Sequence, residues 1–121
     1  MVTLNQMDNM IMEACNNLMS LGYDVGKIVD LKISSRYRRA WAKCYMKPNR
    51  QFVIGLSIEL LKAPTSSVRD VIYHEVIHTC KGCFNHGINF KQAMDKCNIK
   101  FGTNIHLKAT VEQVMNGVNV A

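Results

Sequence analysis

Residues 71–78 read Val-Ile-Tyr-His-Glu-Val-Ile-His, and a third histidine and a glycine follow at positions 86 and 87. If this stretch is helical, His74 and His78 lie one turn apart on the same face, with Cβ atoms roughly 5–6 Å from each other. Two imidazole nitrogens at that spacing can reach one zinc ion at about 2.0–2.1 Å. Val76 and Ile77 are apolar, as in a helix whose back lies in the core. The stretch predicts a helix that carries two zinc ligands.

Glu75 completes an HExxH pattern with these two histidines. It stands one position round the helix from His74, so the pattern does not assign it as a ligand. A carboxylate there can take a proton from a water beside the metal, which is the general-base role in metal-assisted hydrolysis. We therefore predict Glu75 as the catalytic residue.

The third zinc ligand is predicted to be His86. The metzincin pattern, which needs a histidine closer to the motif, fits poorly because Thr79-Cys-Lys-Gly82 follows instead. A turn through Lys81 and Gly82 can bring His86 back over the helix, and Gly87 permits close approach of the backbone. Three ligands with one open position are typical of catalytic zinc. The alternatives for the third ligand are Glu112, Asp95 and His106.

The N-terminal half of the sequence predicts one helix followed by strands. Thr3 and Gln6 form a capping box, apolar residues follow at helical spacing, and Gly22 predicts that this helix ends after residue 20. Stretches rich in β-branched and aromatic residues then predict three short antiparallel strands, at 29–33, 38–46 and 51–56. The fold class is therefore α+β.

Capping signals also predict the helices around the motif. Ser57 can cap a brief helix that Pro64 ends, and Ser67 with Asp70 predicts a capping box that opens the HExxH helix, which should end near Gly82. A following helix over about 88–97 would place one apolar face, with Phe90 in it, against the core beside His86. Residues 101–121 are weakly patterned, with one short helix expected at 110–116.

The five cysteines are odd in number and irregularly spaced, which argues against a disulfide framework and predicts reduced thiols. Cys80 and Cys83 stand between predicted zinc ligands. We interpret them as thiols at the end of a helix that have no chemical role, because free cysteine is commonly just buried. An accessory metal contact and a redox pair are the alternatives.

Length and composition predict one domain over residues 1–121, since 121 residues with 48% hydrophobic content form a single core. No run of 18 apolar residues predicts a membrane span, and the N-terminus does not resemble a signal peptide. We expect a cytoplasmic protein without a membrane partner. The oligomeric state is left open.

The net charge of +6 is concentrated in residues 27–50, where eight cations stand against the single acid Asp30. On the second predicted strand, cations and aromatic residues alternate, a pattern that can hold phosphates and stack on single-stranded bases. Trp41 is better explained as a core residue. The alternative for the whole region is an ordinary solvated face. The candidate nucleic-acid contacts are Arg36, Arg38, Arg39, Lys43, Lys47 and Arg50.

The motif and its surroundings resemble the SprT-like metallopeptidases. Besides residues 71–78, the resemblance includes Asn85-His-Gly-Ile-Asn-Phe90, Arg39-Ala-Trp-Ala-Lys-Cys44 and Phe52-Val-Ile-Gly-Leu-Ser57, and it covers about residues 1–100. It implies a zincin-like fold, one catalytic Zn²⁺ held by His74, His78 and His86, and Glu75 as the base. Two departures are Ala42, where a glycine is often found, and the lack of the four-cysteine zinc ribbon that many members have.

These observations predict a zinc-dependent metallopeptidase that acts on a protein or peptide substrate. Because members of the family cleave proteins crosslinked to DNA, the resemblance implies DNA-associated or DNA-crosslinked proteins as substrates and DNA, especially single-stranded DNA, as a partner. The alternative is a zinc-stabilised nucleic-acid-binding or adaptor protein without significant proteolysis. A metal-dependent hydrolase of a non-peptide amide fits the same site.

Overall fold

The computed structural model describes residues 1–37 and 40–108. Within them the chain forms an α+β domain in which three α-helices and a three-stranded sheet share one core. Two 3₁₀ turns, Pro48–Arg50 and Ile58–Lys62, flank the third strand. In chain order the helices and strands are α1 (Leu4–Ser20), β1 (Lys27–Ser34), β2 (Ala42–Lys47), β3 (Gln51–Ser57), α2 (Thr65–Thr79) and α3 (Ile88–Phe101).

Helix α1 begins and ends as the sequence predicts. The Thr3 hydroxyl accepts a hydrogen bond from the Gln6 N–H at 3.2 Å, and the Gln6 side chain accepts one from the Thr3 N–H at 2.8 Å, so the capping box is complete. The helix ends at Ser20, and Gly22 follows with a φ of 91° that glycine adopts without strain. The buried face of α1 consists of Met7, Met10, Ala14 and Leu18.

The sheet is mixed, so the prediction of three antiparallel strands is wrong. The strand order is β1-β3-β2, with β2 antiparallel to β3 and β1 parallel to it. The physical reason lies in β3, in which every residue from Phe52 to Ser57 is buried. A strand covered on both faces belongs in the centre of a sheet. The more exposed β1 and β2 therefore form the two edges.

Helix α2 starts earlier than predicted, because Pro64 and not Ser67 occupies its N-cap. The N–H groups of Ser67 and Val68 donate to the Pro64 carbonyl, so Ser67 lies within the first turn and is buried. The predicted Ser67–Asp70 capping box is therefore wrong. At the other end the helix stops at Thr79, before the predicted Gly82, which instead turns the chain with a φ of 82°.

The core lies between the helices and one face of the sheet. Helix α2 contributes Val68, Ile72 and Val76, each fully buried, against β3 residues that include Ile54 and Leu56. Burying a side chain of this size stabilises the fold by roughly 1.5–3 kcal/mol. The buried Tyr73 of α2 accepts a hydrogen bond from the Asn17 side chain of α1 at 2.8 Å, which fixes these two helices together.

Helix α3 is longer than the predicted 88–97, since it ends at Phe101 and is followed by Gly102 in the left-handed conformation. The next residues have no regular secondary structure, yet Thr103 and Ile105 are buried, with 6% and 3% of their surface exposed. The short helix predicted at 110–116 lies outside the described residues. Among those that are described, no helix combines the length and the apolar character needed to cross a membrane.

Candidate metal centre

Three imidazole rings converge where α2, the following turn and the start of α3 meet. His74 and His78 lie one turn apart on α2, with ring centroids 5.0 Å from each other. The turn at Gly82 reverses the chain and brings back His86, just before α3. The Nε2 atom of His86 lies 3.1 Å from that of His74 and 3.0 Å from that of His78. All three rings therefore direct the same nitrogen to one point.

Backbone carbonyls hold two of these rings from behind. His74 Nδ1 lies 2.7 Å from the carbonyl oxygen of His106, and His78 Nδ1 lies 3.2 Å from that of Cys83. A carbonyl oxygen can only accept, so each Nδ1 must carry the proton and donate it. In a neutral imidazole, Nε2 is then left with a bare lone pair. Both lone pairs are directed at His86.

This donor set fits a metal ion. Burial lowers the pKa of His74 to about 4, helped by the nearby His78, and burial also lowers the pKa of His78. Both rings are therefore neutral at pH 7, which metal binding requires. Lone pairs brought this close repel each other unless a cation, or a proton carried by His86 Nε2, lies between them. Tetrahedral zinc with bonds of about 2.05 Å would space its ligand nitrogens about 3.3 Å apart, close to the distances found.

A phenylalanine forms the apolar floor of the cluster. The fully buried ring of Phe90, in the first turn of α3, has its centroid 4.7–5.0 Å from the centroids of all three histidine rings. This position agrees with the expectation that Phe90 packs into the core beside His86. Phe90 restricts the histidine rings from below, whereas the exposed His86 leaves the opposite side accessible.

Glu75 lies beside the histidines without joining them. Its Oε2 atom is 3.9 Å from His74 Nε2, and only 6% of the residue is exposed. Burial raises the pKa of this carboxyl group to about 8. Near neutral pH such a group exchanges a proton with little driving force in either direction, a property that suits a general acid or base.

Neither the His106 ring nor the Asp95 carboxylate, two of the alternatives for the third zinc ligand, lies with His74 and His78. Among the residues that the structure describes, His74, His78 and His86 form the one group of three or more potential ligands with atoms within 4.8 Å of one another. His106 contributes its carbonyl oxygen to His74, and its ring is not in that group. Asp95 is exposed on α3 and also outside the group. Glu112 lies outside the described residues.

The cysteines of the turn are buried and reduced. Cys80 and Cys83 are 2% and 1% exposed, and all five cysteines are free. Burial raises the pKa of both thiols, that of Cys80 to about 12, so neither is a thiolate at neutral pH. Their sulfur atoms are not in the histidine group. The contact that matters for the site is the Cys83 carbonyl that holds His78.

The residues predicted to contact nucleic acid differ in their exposure and in their partners within the protein. Lys43 and Lys47 are exposed on β2, and Arg36 is exposed after β1. Arg50 is instead committed to the protein: it forms an ion pair with Asp24 at 2.8 Å and donates to the carbonyls of Asp24 and Thr79. Arg38 and Arg39 lie outside the described residues. Trp41 is partly buried against the core, as expected.

The hydrogen bonds that hold the segment behind His74 were not predicted from the sequence. Asp70, which the sequence suggests as a capping residue, accepts a hydrogen bond from the Asn104 N–H at 3.0 Å, and Asn98 bonds to Thr103 and Ile105. A faint signal exists in Asp70, since it stands one turn before His74 on the same helix face. For Asn98 no sequence signal was available.

The fold and the cluster define an α+β domain that presents three histidines within metal-binding distance of one another. The chain belongs to the SprT-like family, whose family model matches residues 9–111. This family is associated with zinc metallopeptidase-like proteins. No curated protein and no solved structure matches the chain.

Proposed function

We propose that this protein is a zinc-dependent peptidase with a zincin-like centre. The observation that carries the proposal is the convergence of three Nε2 atoms beside one buried carboxyl group. His74, His78 and His86 would hold the zinc. When bound there, zinc acts as a Lewis acid that polarises a scissile carbonyl and lowers the pKa of water toward 7.

Glu75 has the position and the raised pKa for the proton transfers. Its carboxylate would take a proton from the attacking water and then donate it to the nitrogen of the leaving amine, so the side chain ends as it began. The carbonyls of His106 and Cys83 would keep His74 and His78 in the tautomer that binds metal. Phe90 would limit water access and ring motion beneath the site.

The test is a comparison of Glu75→Gln with His78→Ala, measuring bound zinc and hydrolysis of an unfolded protein substrate. Glu75→Gln should keep one zinc per chain and lose at least about a hundredfold in rate, because it removes only the proton acceptor. His78→Ala should lose both zinc and hydrolysis. Glu59→Gln, at an exposed carboxylate, is the matched control and should behave as wild type. A fully active Glu75→Gln variant would refute the mechanism.

We further propose that single-stranded DNA binds the face of the sheet that lies away from the helices. In the strand register, Lys43 and Lys32 lie on either side of Gly55, and Lys47 and Lys27 on either side of Gln51. Side chains alternate along strands, so the four lysines share one face. This lysine face is opposite to the one on which Ile54 and Leu56 pack into the core.

Aromatic rings accompany these lysines. The hydroxyl groups of Tyr37 and Tyr45 are hydrogen-bonded at 3.0 Å, and the Lys43 ammonium lies 5.0 Å from the centroid of the Tyr37 ring. Tyr37 fits closely over Gly55, where a Cβ atom would meet its hydroxyl. Lysines beside exposed rings can hold phosphates while bases stack, and such binding would bring DNA-associated proteins to the peptidase.

The DNA proposal is tested by measuring the affinity of Lys43→Ala and Lys47→Ala for single-stranded DNA at several salt concentrations. Each variant should bind several-fold more weakly and reduce the salt dependence by about 0.7 in the logarithmic slope, the share of one phosphate contact. Lys91→Ala, at an exposed lysine of α3, is the control. Equal losses in all three variants would contradict a specific lysine face. Salt-dependent binding by a chain without hydrolysis would favour the adaptor alternative.

A further inference from the structure

The segment after α3 connects the two helices of the metal centre through its backbone. Residues 103–106, which we call the strap, have no regular secondary structure. The N–H of Asn104 and the carbonyl of His106 face α2, where Asp70 accepts from the first at 3.0 Å and His74 donates to the second at 2.7 Å. Two side chains one helical turn apart thus bind backbone groups two residues apart.

The intervening residue of the strap is held by α3. The side-chain amide of Asn98 donates to the Ile105 carbonyl at 3.1 Å, and its oxygen accepts from the Ile105 N–H at 2.8 Å. The same oxygen accepts from the Thr103 hydroxyl at 2.9 Å. Asn104 and His106 of the strap therefore bind α2, whereas Thr103 and Ile105 bind α3. All of these hydrogen bonds to α3 are made by the side chain of Asn98.

The Ile105 carbonyl belongs to the peptide bond that joins Ile105 to His106. By holding this peptide plane, Asn98 restricts the positions that the next carbonyl, that of His106, can take. That carbonyl holds the proton of His74 on Nδ1 and leaves Nε2 free. Without it, the neutral ring could carry its proton on Nε2, where it would block a metal ion.

We propose that Asn98 is a positioning residue for the metal centre, which acts through the strap to keep the His106 carbonyl against His74. This inference rests on the proposed zinc binding by the three histidines, but it does not depend on hydrolysis. The hydrogen bonds of Asn98 go to Thr103 and Ile105 and not to a ligand ring. Its effect is on the tautomer and orientation of His74, and hence on how tightly zinc is held.

The test compares wild type with Asn98→Ala in two measurements. Zinc affinity, measured by competition with a chromogenic chelator, should fall about tenfold, the lower end of what loss of an outer contact to a metal ligand causes. Nitrogen-15 spectra of the histidines in the zinc-free protein should show His74 as the Nδ1–H tautomer in wild type and as a mixture in the variant. A purely structural role for Asn98 would leave the second measurement unchanged.

Asn17→Ala is the matched control, because it removes an asparagine hydrogen bond between α1 and Tyr73 and leaves the strap intact. It should lower stability while keeping the wild-type zinc affinity and tautomer. If Asn98→Ala does not fold, Asn98→Asp serves instead, since it keeps the acceptor for Ile105 N–H and replaces the donor with a carboxylate oxygen that repels the Ile105 carbonyl.

The proposal is overturned if the folded Asn98 variant retains wild-type zinc affinity or a single His74 tautomer, or if Asn17→Ala weakens zinc binding as much. Failure of wild type to bind zinc would instead refute the proposed function. In that case the tautomer measurement still decides the role of Asn98.

Discussion

The burial of Glu75 lowers the stability of the fold. A carboxyl group that is 94% buried loses most of its hydration, and the raised pKa is the sign of that loss. Two fully buried side chains are its neighbours on the helix: Ile72, three positions earlier, and Val76, the next residue. An apolar residue at position 75 would therefore suit the core better, and the cost of burying an acid there is consistent with the proton-transfer role proposed for Glu75.

Cys97 makes a testable contribution to alkaline stability. Burial raises the pKa of its thiol from 9.0 to about 11, so between these pH values the native protein binds more protons than the unfolded chain. The free energy of unfolding must fall as pH rises through this range. Wild type should lose roughly 2 kcal/mol more than Cys97→Ala between pH 8 and pH 10.5, measured by urea denaturation.

Met94→Ala on the same helix face is the control for this measurement, because methionine has no proton to lose. It should keep the wild-type pH dependence, whatever its constant effect on stability. Parallel pH profiles of wild type and Cys97→Ala would show that the thiol titrates normally.

The grouping of the three histidines could be predicted from the sequence because their spacing along the chain is short. The spacing of His74 and His78 is local, and one turn of chain returns His86 to them. The hydrogen bonds of Asp70 and His74 to the strap join residues 34 and 32 positions apart. Such contacts depend on how α3 packs, which no local pattern contains.

At the scale of single elements, the capping box of α1 offers a direct measurement. Thr3→Ala removes the hydroxyl that accepts from the Gln6 N–H, and it should lower the free energy of unfolding by roughly 1 kcal/mol. Asn5→Ala, at an exposed position inside the same helix, is the control and should change stability little. An unchanged Thr3→Ala variant would mean that the end of α1 frays without affecting the domain.

Elements were predictable to the extent that their signals are local. The capping box and Gly22 identify both ends of α1, and three strands occur near their predicted positions. The direction of β1 was not predictable, because alternation along a strand does not specify its partner. Pro64 was predicted to end the preceding turn, and it also begins α2. Its fixed φ and its carbonyl, which accepts from the first turn of α2, suit an N-cap as well as a break.

At the scale of the whole molecule, zinc should stabilise the fold. A ligand that binds only the native state at 100 times its Kd adds about 2.7 kcal/mol, which for a domain of this size raises Tm on the order of 10 °C. Thermal unfolding with excess zinc and with a chelator should show this difference in wild type. His86→Ala should lose most of it, since two histidines hold zinc less tightly than three. Identical Tm values in wild type would exclude zinc binding to the native state.

The mixed sheet has a consequence for how the chain closes on itself. Lys47 pairs with Gln51 four positions later, whereas Lys27 reaches the same residue from 24 positions earlier. Loop closure over the longer separation costs roughly 1.6 kcal/mol more chain entropy. The hairpin can therefore form from local sequence, while the parallel edge must be held by the assembled domain. On the lysine face, Lys27 and Lys32 belong to this entropically costly edge, whereas Lys43 and Lys47 belong to the hairpin.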